Sequence, residues 1–142
     1  MAVGRECRRV YFFEGTTALS SITGFVDRYI AAWNEKDPDR RRQAIKEIWA
    51  EDARYANTSQ EFRGHAGIET AIGEAYEEFV AKGFAFRLNS YAQNHDALRI
   101  TWDMVPSAGG PAAARGTEYL VLGADGLVRT DHQFPEELPA SQ

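Results

Sequence analysis

The chain has 142 residues, 44% apolar and 26% charged, which suits one domain with a single hydrophobic core. A formal charge of −5, with no cluster of Lys and Arg in the folded region, excludes nucleic acid as the main partner. The one cysteine, Cys7, cannot form an internal disulfide, and no apolar run approaches the roughly 20 residues needed to span a bilayer; the expectation is a cytoplasmic protein with no membrane partner.

Residues 1–17 read as a flexible leader. Arg5, Arg8 and Arg9 precede Val10 to Phe13, an apolar stretch too short for a signal-peptide core. The alternative is an arm packing on a neighbouring subunit through Tyr11 and Phe12. The domain is expected over 18–136, with a tail at 137–142. Its first helix carries Ile22, Phe25, Val26, Tyr29, Ile30 and Trp33 on one stripe, with Ser20 or Ser21 at its start. A second begins at Asp37-Pro38, a cap followed by proline in the first turn, and turns Ala44, Ile45, Ile48 and Trp49 inward. A short extended piece, 53–57, follows. The third helix comes after Gly64-His65-Ala66-Gly67 and ends near Gly83.

Beyond Gly83 the apolar period changes from 3.6 to 2, giving strands over 84–92, 97–105, 115–122 and 127–134. Turn residues separate them: Asn94-His95-Asp96, Pro106 to Pro111, and Ala124-Asp125-Gly126. Helices followed by consecutive hairpins predict an α+β domain with an antiparallel sheet.

Alternation sorts the side chains. Leu98, Ile100, Trp102 and Met104 share the face expected to wall a pocket for a small apolar organic ligand, which leaves Asp103 exposed on the other. In the next strand Glu118 shares a face with Leu120 and Leu122. If that face is the core, a carboxyl sits among apolar groups, its pKa rises, and it can exchange protons near neutral pH. Otherwise Glu118 reaches solvent or pairs with Arg115 or Arg129. Tyr119 and Val121, opposite, offer an apolar outer face through which a homodimer could form. Tyr55 and Asn57 share a face of the short strand, either as polar points of the pocket or as a core-edge aromatic and a turn residue; Phe62 helps to shape the same pocket. In the last strand, apolar content turns Val128, Thr130, His132 and Phe134 inward, making His132 a possible base. A bulge would bring in Asp131 instead. His95 reads as a turn residue and His65 as a solvent-exposed loop residue. The three histidines are scattered and no glycine-rich phosphate loop or nucleophile elbow is present, so neither a metal nor a cofactor is expected.

This order, with Arg28 to Asn34, Ile48 to Tyr55, Phe62 to Ile68, Asn94 to Trp102 and Ala124 to Val128, resembles the nuclear transport factor 2-like superfamily and its SnoaL-like branch. The resemblance covers about 18–136 and implies a cone-shaped, cystatin-like curved sheet wrapped around N-terminal helices. It also implies a homodimer and one of several cofactor-free chemistries. Ketosteroid isomerases of this superfamily use a Tyr in the first helix, matched by Tyr29, and a protonated acid in the sheet, matched by Glu118. Their base, an Asp, is replaced here by Asn57, which cannot accept a proton. Limonene-type epoxide hydrolases use a Tyr-x-Asn pair, matched by Tyr55-Ala56-Asn57, with an Asp-Arg-Asp triad whose inward positions here hold Trp102 and Met104. Polyketide-cyclase-like members use an Asp/His acid/base set, a role open to Asp131 or His132. Three readings result: an acid/base enzyme of cyclase, isomerase or hydrolase type, a non-catalytic ligand binder, and a dimeric interaction module.

Overall fold

A computed structural model describes residues 16–139, with side chains from Ile22 onward; the expected leader with Cys7, Tyr11 and Phe12, and the last residues of the tail, lie outside the described residues. Helix α1 spans Thr16–Asn34, so Ser20 and Ser21 fall inside it rather than at its start. Its predicted stripe points inward, with Phe25, Val26, Tyr29 and Ala32 buried. Helix α2, Pro38–Ile48, starts as its sequence dictates: the Asp37 carboxylate accepts from the Arg40 amide at 3.0 Å, and proline occupies the first turn, where no amide is needed. Trp49 belongs to strand β1, Trp49–Ala56, and not to the helix. After β2, Glu61–Arg63, comes α3, Gly64–Glu78, which buries Ile68, Ala71 and Ile72. A short 3₁₀ turn, Val80–Lys82, is closed by Gly83 at φ +103°, a conformation that favours glycine.

The predicted period-two segments form β3, Phe84–Asn94; β4, Ala97–Pro106; β5, Ala114–Leu122; and β6, Val128–Glu136. The sheet order is β2-β1-β6-β5-β4-β3. It is mixed rather than wholly antiparallel, because β1 and β6 run parallel. Register shifts at three places, in β1, in β3 and in β6, sharpen the local twist and curve the sheet around the helices. The α+β cone expected from the sequence is therefore present.

The shift in β6 decides which of its side chains face inward. Leu122 pairs with Val128, but the preceding residue, Val121, pairs with Thr130, so Arg129 is the extra residue of a bulge. Val128 points inward before it, and Asp131 points inward after it. His132 is consequently turned to the exposed outer face, opposite the expectation from apolar content. Asp103 lies on the outer face as alternation requires, yet it is buried rather than exposed. Arg115 pairs with it at 2.7 Å and Asn89 donates to it at 3.1 Å. The Arg115 guanidinium holds the Asp103 carboxyl below its usual range. His65 also departs from its loop expectation: it lies in the first turn of α3, half-buried, its Nε2 at 2.8 Å from the Trp49 carbonyl. Among the described residues no helix is long and apolar enough to cross a membrane.

Candidate active site

The inner faces of β4, β5 and β6 run from a packed core at one end to a cavity of about 410 Å³ at the other. Leu98 and Ile100 were expected to wall the pocket; they lie in the packed core, at most 1% exposed, beside Leu120 and Val128. Further along β4, on the same face, Trp102 and Met104 do line the cavity. Alternation identifies a face, but not how deep along the strand the helices fill the cone.

Two aromatic walls bound the space. Tyr29, Trp33, Tyr55 and Phe62 form one, with successive ring centroids 6.4, 5.3 and 5.9 Å apart. Phe79, Phe86 and Trp102 form the other, at 6.3 and 5.2 Å with near-perpendicular rings. Such tilted and edge-on contacts fix ring orientation, so both walls are rigid. Asn57 lies at the mouth, where its Oδ1 accepts from the amides of Ser59 and Gln60, both at 2.9 Å. It thus closes a turn, as one of its two sequence readings anticipated, and also lines the cavity.

Between the walls sits a pair of carboxyl groups. In the β5–β6 register Asp131 faces Leu120 and Glu118 faces Gln133, so the two acids are diagonal neighbours on the inner face. They lie within hydrogen-bonding reach of each other. Glu118 lines the cavity, while Asp131 lies behind it, wholly buried. The Tyr29 hydroxyl donates to Asp131 Oδ2 at 2.6 Å, and the Trp102 indole donates to Glu118 Oε2 at 2.9 Å. The remaining oxygens, Glu118 Oε1 and Asp131 Oδ1, have no hydrogen-bond partner among the described residues. A proton held between the two carboxyls would satisfy both.

The electrostatics agree. Burial pushes both carboxyls up from their ordinary range, and for Asp131 the neighbouring Glu118 charge pushes further. Two adjacent buried carboxyls resist ionising together, so the site favours a protonated pair over a doubly charged one. Burial also raises the hydroxyls of Tyr29 and Tyr55, which stay neutral donors. Of the four residues expected to carry the chemistry, Tyr29, Glu118 and Asp131 meet at one point and His132 is excluded. Among the described residues no cluster of three His, Cys, Asp or Glu side chains is placed to hold a metal ion.

The geometry fixes how stability responds to pH. A carboxyl whose pKa is higher folded than unfolded contributes fully below the unfolded value and loses that contribution as pH climbs toward the folded one. The fold should therefore weaken on the alkaline side of the ordinary carboxylate range. Asp131→Asn keeps an acceptor for Tyr29 and supplies an N–H for Glu118. In urea titrations at about pH 5 and about pH 9, the variant should match or exceed wild type only at the higher pH, there by roughly 1–3 kcal/mol.

Several residues at this site were not placed there by sequence reasoning, Trp33, Phe86 and Gly116 among them. Trp33 was assigned only to a helix stripe, and Phe86 to a strand. The third is Gly116, over which the Trp102 ring lies so closely that an added Cβ would sit 2.3 Å from it. A glycine inside an otherwise regular strand was the available signal.

Comparison with known proteins agrees with the fold and the branch. Residues 26–130 match the model of the SnoaL-like domain. A proposed isomerase of the SnoaL-like family from Agrobacterium tumefaciens str. C58 is 28% identical, with a TM-score of 0.74 over 81% of this chain and 97% of that one. A proposed ketosteroid isomerase from Kribbella flavida DSM 17836 is similar in fold at 19% identity and TM-score 0.60, over 84% of this chain and 80% of that one. A proposed polyketide cyclase from Sinorhizobium meliloti is similar at 15% identity and TM-score 0.61, over 78% and 93%. No curated protein sequence matches. With the family model spanning most of its length, the chain belongs to the SnoaL-like domain family.

Proposed function

We propose that the protein is a cofactor-independent acid/base catalyst acting on a small, largely apolar carbonyl compound, with Glu118 as the proton-transferring group. The observation that carries this reading is the buried Glu118–Asp131 pair opening on an aromatic cavity. In the singly protonated pair the shared proton rests on Asp131, and the Glu118 carboxylate takes a proton from the carbon next to the substrate carbonyl. The C–H electron pair becomes the C=C bond of an enolate, and the carbonyl π pair moves to oxygen. A donor for that oxygen is the hydroxyl of Tyr55, a residue that lines the cavity. Return of the proton from Glu118 to carbon completes an exchange, or an isomerisation if it returns elsewhere. Asp131 and Tyr29 act through Glu118, as positioning residues. The isomerase and cyclase descriptions of the structural relatives support chemistry of this class.

Tetralone in D₂O tests this directly. Wild type should accelerate exchange of the α-protons, read by NMR, well above buffer. Binding of tetralone without accelerated exchange would instead establish a cavity that only holds its ligand.

A homodimer through the outer sheet face is a compatible second reading, favoured by one observation. Tyr119, Val121 and Phe134 are 47%, 41% and 48% exposed on that face, with the Tyr119 and Phe134 rings 5.5 Å apart. Exposed apolar groups so grouped mark association surfaces. Sedimentation at micromolar concentration should give a dimer, and Val121→Glu should give a monomer that still binds tetralone. A wild-type monomer at that concentration counts against the interface.

A further inference from the structure

The cavity lining has a one-sided charge. Among the described residues that form it there is no Lys, Arg or His, and their carboxyls are Glu118 inside with Glu74 and Glu78 at the mouth. Glu74 and Glu78 are exposed and one helical turn apart on α3, on the face that also presents Ala71 and Ala75 to the cavity. Like charges at this spacing oppose each other and weaken a helix slightly. Among the described residues neither makes an ion pair, although Arg41 and Lys82 share the adjoining groove on the outer side of α3 with both. Behind this mouth, seven aromatic rings supply an apolar body site, and their faces attract cations. Inside the described lining, an anionic ligand would meet only like charge. A neutral ligand would leave the mouth carboxylates unused.

We infer that the cavity takes an organic cation: a cyclic apolar body seated between the two aromatic walls, with a protonated amine at the mouth beside Glu74 and Glu78. This names the substrate class for the site proposed above and rests on that reading only for the cavity's being a ligand site. The carbonyl end of the molecule would point inward to Glu118, and the amine outward. The amine makes its charge pairs in partly exposed surroundings, so each contributes modestly and is screened by salt.

Three probes with one body and different heads decide it: phenylbutylamine, phenylbutanol and phenylbutyrate, each titrated at neutral pH while following tryptophan fluorescence from Trp33 and Trp102. The amine should bind roughly tenfold tighter than the alcohol at low salt, and the carboxylate weaker than both. Glu74→Gln/Glu78→Gln, which removes a like-charge pair and should fold at least as well, is expected to bring the amine to the level of the alcohol without changing the alcohol. The inference fails if the amine binds no tighter than the alcohol, or does not bind, or if its preference survives in the double variant. Glu118→Gln should keep the ranking, so a catalytically inert protein that ranks the probes this way would remove the acid/base reading and leave this one standing.

Discussion

Glu118→Gln is expected to bring α-proton exchange down by about 10²–10⁴-fold, to or near the buffer rate, with the fold intact. Glutamine matches the shape of glutamic acid and keeps an oxygen to accept from the Trp102 indole, now at 2.9 Å from Glu118 Oε2. Its amide N–H can donate to Asp131 Oδ1, which otherwise has no donor. Structure and stability should thus be preserved, and at neutral pH stability should rise, because one of two crowded carboxyls is gone. What disappears is a group that gains and loses a proton in the cavity. Asp131→Asn gives the complementary result. Glu118 would then lose the carboxylic-acid donor that holds its own pKa down, and the pH–rate profile should move to higher pH while activity persists. Unchanged exchange in Glu118→Gln would remove Glu118 from the mechanism. An unshifted profile in Asp131→Asn would remove Asp131 from the pair.

Gly116→Ala is the second large effect, and it acts through packing. The added methyl carbon would lie 2.3 Å from Trp102 Cζ2 and 2.7 Å from Cε2, so the indole must move by more than an ångström. That ring has little room: its edge meets Phe86 at a centroid distance of 5.2 Å, and its N–H is held by Glu118. Overpacking of this kind destabilises by about 1–3 kcal/mol. Displacing Trp102 also strips Glu118 of its donor and fills part of the cavity, so exchange should fall too. The control is Gly116→Ala/Trp102→Leu, in which the clash is absent. Its stability should exceed the sum of the single effects by roughly 1 kcal/mol or more in a double-mutant cycle. Additive effects would show that the close approach is not the cause.

Much of this was legible in the chain because two periodicities survive undisturbed in most of it. The stripe from Ile22 to Trp33 could only be a helix laid on a core, and alternation placed Trp102 and Met104 on the same face as Leu98. Glu118 was found the same way, from its parity with Leu120. The count left two alternatives, His132 or Asp131, where one residue interrupts it. Arg129 is an ordinary residue to any propensity scale, and nothing in its chemistry announces the bulge that turns Asp131 inward. Asp103 failed for another reason: it is covered by Arg115, its register partner on β5, and a strand's own pattern says nothing of its neighbour's side chains. The charge census of the mouth was invisible too, since α3, the turn after β1 and the ends of the sheet meet only in three dimensions.

Strand β6 carries the cavity on one side and the outer face on the other. A saturation scan along it should therefore resemble a comb. Catalytic losses should fall at Asp131 and Gln133, interleaved with losses of association at His132 and Phe134. Upstream the teeth are out of step, since Val128, an even-numbered residue, shares the interior with odd-numbered residues beyond Arg129. Each side of the strand is then free to drift while the other is held, and the two properties can diverge separately among the descendants of one gene.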